Sequence, residues 1–307
     1  MCDVLIVGGG PAGLMAADYL SKLNYSITLV DQMPTMGRKF LMAGKSGLNL
    51  TKSEPFEKFL NNFSESTPQL LSALKNFTPD DVQTWATSLG INLFTGSTGR
   101  VFPTHMKASP LLRAWLSRLD KRGVTRRHKM KAISLNNMSL LFDTENGKEE
   151  ISAKAILFAM GGAVVLDLLP NWNEKQLNDA LQKPLTKASW SNHLRKVFKL
   201  NNAKQILLRE FSSSSFSKEQ LLVDLKSLRI KHEGLDEIDK AISTAGGVHF
   251  DQLDNNLMLS KRPGIFFAGE MLNWDAPTGG YLITAALATG LLSAKGIEKL
   301  LSGSSFS

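Results

Sequence analysis

Three glycines, Gly8, Gly10 and Gly13, stand at G-x-G-x-x-G spacing directly after the short apolar run Asp3 to Val7. Pro11 and Ala12 fill the loop, and Leu14 to Leu23 has helical character. A second apolar run, Ile27 to Val30, ends at Asp31. In such a unit the first glycine makes a tight turn. The second lets the backbone approach a pyrophosphate, and the third lets the helix pack close to its strand. The helix N-terminus offers unpaired N–H groups and a positive dipole end to the phosphates. Asp31 is spaced to accept from a ribose hydroxyl. The strand–loop–helix–strand–acid context therefore predicts a dinucleotide site.

The elements around this unit set the rest of the frame. Residues 1–31 read as β-α-β, and residues 37–51 as a polar loop bearing glycines. Residues 56–90 look helical, with Thr78-Pro79-Asp80-Asp81 as a helix start. Ser109 to Lys121 reads as helix, Val124 to Asp143 as strands, and Ala153 to Met160 as a buried strand ending at Gly161-Gly162. Gly264 to Glu270 reads as a strand ending in Gly269-Glu270, and Thr278-Gly279-Gly280 leads into a long apolar helix. Ligands of open α/β sheets sit outside the carboxyl ends of parallel strands. Gly269 and Gly279 must therefore meet Gly8 at one sheet edge. The expected fold is α/β, a Rossmann-like domain made of residues 1–163 and 244–301. A small helical insertion over 164–243 interrupts it, and 302–307 forms a disordered tail.

Composition narrows the function classes. The chain has 307 residues, 43% of them hydrophobic, enough for a sizeable core. The single cysteine, Cys2, rules out an internal disulfide and a C-x-x-C electron shuttle, and fits a reducing, cytoplasmic setting. No basic-then-apolar leader stands at the N-terminus, and Tyr281 to Ala294 is too short to span a membrane. The five histidines, at 105, 128, 193, 232 and 249, show no metal-ligand spacing, so no metal is expected. His105 and His249 flank motif loops, where the ordinary reading is a surface or satisfied histidine. The formal net charge is +8, with a dense cluster at Lys121, Arg122, Arg126, Arg127, Lys129 and Lys131. Such a cluster reads first as a solvated surface and second as an RNA contact.

Further segments carry a resemblance. Gly37-Arg38-Lys39, Gly44-Lys45-Ser46-Gly47-Leu48-Asn49, Gly99-Arg100-Val101-Phe102-Pro103, Met160-Gly161-Gly162 and Gly269-Glu270 through Tyr281 together resemble the BaiN/RdsA-type flavoproteins. That family is a branch of the two-dinucleotide-binding flavoproteins, and the resemblance covers most of the chain. It implies bound FAD and an oxidoreductase linked to NAD(P)H as a transient donor. Members are connected with reducing carbon–carbon double bonds in bile-acid intermediates or in a ribosomal RNA uridine. On this reading Gly37, Arg38 and Lys39 lie near the phosphates and flavin. Lys45, Ser46 and Asn49 meet the polar edge of the ring, and Glu270 holds a ribityl hydroxyl. Gly279, Gly280 and Tyr281 turn helix N–H groups toward the flavin carbonyl edge.

The chain departs from the family in two places. Gly-Lys-Ser-Gly-Leu-Asn stands where many relatives have Gly-Gly-Gly-Arg-Cys-Asn. Gly161-Gly162-Ala163 also runs almost directly into Leu166-Asp167-Leu168, where relatives carry a β-rich module that helps cover the flavin. A flavin open on one face follows as an expectation. Two functions stay open: an FAD-dependent reductase of electron-poor C=C bonds, including an RNA-uridine variant, or a shortened relative that only binds. No second G-x-G-x-x-G follows a strand, so no separate nicotinamide domain is expected. No catalytic residue is assigned.

Overall fold

The computed structural model describes residues 1–44, 47–63, 67–161 and 247–303, with 165–166, 179–180, 198, 208, 225 and 228–229. The chain divides into two compact units, residues 1–162 with 239–307, and residues 163–238.

The larger unit is built on a parallel sheet. Strand β1 (Cys2–Val7) lies between β2 (Ile27–Val30) and the second half of β9 (Gly147–Phe158), parallel to both. Strand β6 (Thr125–Arg127) extends the sheet beyond β2, and β12 (Ile265–Phe267) extends it beyond β9. The parallel order is thus β6-β2-β1-β9-β12. The first half of β9 leaves this layer and pairs antiparallel with β8 (Ser139–Thr144), which pairs with β7 (Lys131–Asn136).

Alternation along β1 explains the three layers. Val4 and Ile6 face the helices α1 (Pro11–Leu20), α6 (Ala108–Lys121) and α7 (Tyr281–Ser302). Leu5 and Val7 face Leu140 and Phe142 of the antiparallel layer. A strand buried on both faces reads as a continuous apolar run, as Val4 to Val7 does.

Between β2 and β6 lie α2 (Arg38–Ala43), α3 (Phe56–Leu60), α4 (Pro68–Asn76) and α5 (Pro79–Ser88). A three-stranded antiparallel sheet stands among them, ordered β3 (Thr51–Lys52), β5 (Arg100–Pro103), β4 (Leu93–Thr95). Thr78 caps α5 by accepting from the Asp81 amide at 3.3 Å, and Asp81 returns a bond to the Thr78 amide at 2.7 Å. That reciprocal box is the start expected from the Thr-Pro-Asp-Asp sequence.

Three expectations need correction. Residues 38–43 are a helix rather than loop, because Phe40 is buried and Leu41, Met42 and Ala43 are strong helix formers. The stretch 56–90, read as helical with a start at Thr78, holds three short helices, each begun after a Pro or Thr cap. The strand before Gly269 stops at Phe267, and Gly269–Met271 turns as a 3₁₀ helix. In the smaller unit, β10 (Val165–Leu166) pairs antiparallel with β11 (Leu228–Arg229), so the segment read as helical holds at least this strand pair. The rest of that segment, and the tail 304–307, lie outside the described residues.

One sheet-edge contact carries a pH dependence. Asp3, at the start of β1, meets Lys154 Nζ at 2.8 Å and accepts from the amide and hydroxyl of Ser26 at 2.9 and 2.7 Å. Lys154 first, and Ser26 second, pull its carboxyl down to about 2. A carboxylate held below its unfolded value adds stability above that value. It loses the contribution as pH falls from about 4 to about 2. Melting temperatures measured between pH 6 and pH 2 should fall less in Asp3→Asn than in the wild type across that window. Parallel curves would contradict the assignment.

Candidate functional site

The first glycine loop sits at the carboxyl end of β1, and each glycine has a separate mechanical reason. Gly8 has φ +115°, and a Cβ there would lie 2.2 Å from the Ala159 carbonyl oxygen just beyond β9. A Cβ on Gly13 would lie 2.0 Å from the Gly8 carbonyl oxygen. These two positions accept only glycine because backbone meets backbone. Gly10 differs. Its φ is −81°, and a Cβ would meet nothing within 4 Å. The space over Gly10 is open, beside the unpaired amides of the α1 N-terminus and next to Pro11 and Ala12.

Asp31 closes this loop from the end of β2. One carboxylate oxygen accepts from the Gly9 amide at 2.7 Å and the other from the Met33 amide at 2.8 Å. The acid expected to bind a ribose therefore also fixes the shape of the loop, and carboxylate oxygens retain further acceptor capacity. Gly37 donates its amide to the Gly9 carbonyl at 2.8 Å and starts α2 in the left-handed conformation with φ +70°. Arg38 and Lys39 thereby fall on the first turn of a helix tied to the glycine loop. Lys39 Nζ lies 3.4 Å from where a Cβ on Gly161 would stand, which brings α2 to the end of β9.

The C-terminal segment reaches the same place. A Cβ on Gly269 (φ +78°) would lie 2.9 Å from the Ala12 Cβ. Helix α7 crosses α1 at the same residue, since a Cβ on Gly290 would lie 2.3 Å from the Ala12 carbonyl oxygen. Thr289 accepts from the Gly269 amide at 3.0 Å, and Trp274 donates its indole N–H to the Gly269 carbonyl at 2.9 Å. Gly280 (φ +100°) caps α7 and leans on β3, with Thr51 backbone atoms 2.5 Å from a Cβ position there. The Thr284 hydroxyl donates across that contact to the Thr51 hydroxyl at 2.9 Å or to the Gly280 carbonyl at 2.8 Å. Thr278 and Gly279 precede it, Thr278 exposed and Gly279 half-buried.

Tyr281, the first residue of α7, turns its side chain into the core. Its ring packs 4.8 Å from Phe59, and its hydroxyl donates to Glu54 and accepts from Lys52 Nζ at 3.0 Å. Burial and Glu54 both push the Tyr281 hydroxyl above its ordinary pKa. What Tyr281 offers a ligand is therefore its helix N–H, not its phenol.

Two polar groups in this region have no protein partner among the described residues. Asn49 Oδ1 is buried and accepts no hydrogen bond. The half-buried Glu270 carboxyl receives no hydrogen bond, and burial raises its pKa against the opposing pull of Lys39. A buried polar atom without a partner, as at Asn49, is rare in native structures and points to a group supplied from outside the chain. A cradle over Gly10, two helix N-termini, the Lys39 cation and two unfilled acceptors fit a long anionic dinucleotide with a hydroxyl-bearing chain. FAD has that chemistry.

The structure thus brings together Gly8 to Gly13, Asp31, Gly37 to Lys39, Gly161, Gly269 and Glu270. Gly279 to Tyr281 open α7, which crosses α1 at Ala12 through Gly290, and Gly280 packs on β3. Lys45, Ser46 and Gly162 lie outside the described residues. Gly290 and Thr289 escaped the sequence reading; a glycine inside a long apolar helix was the available signal. Among the described residues no helix is long and apolar enough to cross a membrane, and no group of three His, Cys, Asp or Glu could hold a metal ion.

The basic cluster behaves differently from its appearance in sequence. Arg126 pairs with Asp120 at 2.7 Å, Arg127 with Glu149, and Lys129 with Glu145 at 2.6 Å. Arg122 turns inward to Asp18 at 2.6 Å. Lys121 and Lys131 are the members with no ion-pair partner among the described residues.

Residues 2–296 match the family model described as the HI0933-like protein Rossmann domain. A 98-residue stretch is 33% identical to the ribosomal RNA dihydrouridine synthase of Haemophilus influenzae, covering 32% of this chain and 24% of that protein. The alignment therefore spans about a quarter of the curated relative's length. Among solved structures, the open conformation of a flavocytochrome c3 fumarate reductase superposes with TM-score 0.53 at 14% identity, over 97% of this chain and 78% of that one. Mycobacterium smegmatis Sdh1 in complex with UQ1 also gives TM-score 0.53, at 12% identity over 97% and 69% of the two chains. At such identities these likenesses speak for the fold alone. With nearly its whole length matched, the chain belongs to the HI0933-like family, a family of flavin-dependent oxidoreductases built on a Rossmann-type FAD-binding domain.

Proposed function

We propose that the protein is an FAD-dependent oxidoreductase that takes electrons from NAD(P)H and reduces an electron-poor C=C bond. The observation that carries this reading is the meeting of the first glycine loop, the Lys39 turn and Gly269-Glu270 around Ala12. Bound FAD would supply the hydride transfer. The chain's own residues do the rest. The backbone from Gly8 to Gly13 and the α1 N-terminus receive the phosphates. Asp31 holds that loop in shape through Gly9. The α7 N-terminus and Lys39 set a positive potential where negative charge gathers on reduction. Asn49 and Glu270 offer the acceptors left unfilled by the protein.

Anaerobic titration of the purified protein with NADH and NADPH tests the donor. Bleaching of a flavin spectrum, followed by recovery on adding an enone, is the expected result. A flavin that neither nucleotide reduces would leave a binding protein rather than a reductase.

A uridine-reducing reading has one observation in its favour, the 33% identity to the ribosomal RNA dihydrouridine synthase. The pairing of Arg126, Arg127 and Lys129 with acidic neighbours weighs against an RNA contact at that cluster. Counterion release needs cations free to meet phosphates.

A further inference from the structure

The small sheet β3-β5-β4 presents one face to the core and one outward. On β5, Val101 and Pro103 are buried, while Arg100 is exposed and Phe102 half-buried. Register places Lys52 opposite Arg100, and Phe94 opposite Phe102, so these four share the outward face. Phe94 and Phe102 stack with ring centroids 5.7 Å apart and planes at 27°. Phe94 is 42% exposed, one of few large apolar side chains left open to water among the described residues.

This face abuts two loops of the candidate flavin site. Arg100 Nε lies 4.0 Å from a Cβ position at Gly279, and Phe102 Cε1 lies 3.9 Å from one at Gly47. Charge on the face is uneven. Lys52 is matched by Glu54 at 3.2 Å. The Arg100 guanidinium has no hydrogen bond or ion pair among the described residues. A guanidinium is built to grip a carboxylate with two parallel bonds, and an unengaged one beside a ligand loop is available for that. Arg100 and Phe102 stand two residues apart on one strand, so their Cα atoms are separated by roughly 7 Å.

We infer that the outward face of β3-β5-β4 binds a flat, conjugated carboxylate: a small aryl-substituted α,β-unsaturated acid. Its ring lies against Phe94 and Phe102, and its carboxylate is held by Arg100. One uncompensated cation suits one carboxylate, not the run of phosphates of an RNA strand. The double bond of this class of acid rests on the proposed reductase function; the anion and ring recognition do not.

Calorimetric titration of the purified, flavin-loaded protein with trans-cinnamate and with its uncharged methyl ester tests the site. Cinnamate should bind at least tenfold more tightly than the ester. Arg100→Met should weaken cinnamate at least tenfold and erase the preference for the acid. Arg100→Lys should keep part of that preference, and Phe94→Ser should weaken both ligands. Both side chains are exposed, so melting temperatures of the variants serve as a fold control. Equal affinity for acid and ester, a wild-type profile in folded Arg100→Met, displacement of cinnamate by RNA alone, or no binding of either ligand would overturn the inference. NADPH bleaching is recorded on the same samples. Bleaching without cinnamate binding defeats this site alone, whereas cinnamate binding by a protein whose flavin is never bleached defeats the reductase reading alone.

Discussion

Gly10→Val is expected to strip the protein of flavin while leaving it folded. The backbone at Gly10 is extended enough for any residue, and the space a side chain would enter is open. A branched side chain there costs the fold little, since substitutions away from packed contacts stay within about 0.5 kcal/mol. It does fill the space a pyrophosphate needs. Losing two charge-assisted contacts from loop amides removes about 3 kcal/mol of binding or more, on the order of a hundredfold in affinity. The neighbouring glycines give the contrast. Gly8→Ala and Gly13→Ala drive a Cβ to 2.2 and 2.0 Å from carbonyl oxygens, so both should lose flavin and fold together. Flavin content and melting temperature, measured side by side on the three variants, separate the cases. Wild-type flavin occupancy in Gly10→Val would mean the phosphates do not lie over that loop.

Asp18→Ala should be among the most destabilising single changes in the molecule. Asp18 is buried in the last turn of α1. Its carboxylate accepts from the indole N–H of Trp115 at 3.0 Å and of Trp85 at 3.3 Å, and pairs with Arg122 at 2.6 Å and Arg118 at 3.4 Å. The two indoles meet edge to face at 4.6 Å. One carboxylate thus pins α5 and α6 onto the helix that carries the glycine loop. Removing one partner of a buried charge network typically costs about 3–5 kcal/mol, because the remaining polar groups stay buried and unmatched. Arg118 and Arg122 keep 18% and 30% side-chain exposure, so water relieves part of their loss. The indole N–H groups, held in the core, have less relief. Urea unfolding followed by tryptophan fluorescence checks this, and a loss under about 1 kcal/mol would contradict it. Asp18→Asn should fall between, since the amide keeps an acceptor for one indole.

The contrast between these two sites shows what a sequence discloses. The dinucleotide loop was legible because its signal is local: glycines at fixed spacing, a strand before them, a helix after, an acid at Asp31. The structure gives Gly8 and Gly13 the close backbone approaches their spacing implied and leaves the space over Gly10 open. The Asp18 network was not legible, because its partners stand at positions 85, 115, 118 and 122 and only the tertiary fold joins them. A lone acid in the apolar run of α1 was its one trace. The helix at 38–43 was missed because its flanking glycines suggested a loop, while burial of Phe40 decided otherwise. Charge was the least transferable clue. Lysines and arginines 121–131 look like a patch in sequence, yet the fold places Asp120, Glu145 and Glu149 against three of them. The short connection from Gly161 to Leu166, read from the sequence as the loss of a covering β-rich module, falls mostly on residues outside those described.

We propose that FAD occupies the place where the Gly8–Gly13 loop, the Lys39 turn and Gly269-Glu270 come together. Mass spectrometry of the small molecule released on denaturing the purified protein tests it most directly. FAD is the expected molecule, present in the wild type and depleted in folded Gly10→Val. Release of NAD with no flavin, or of no dinucleotide from protein reconstituted with excess FAD, would contradict it.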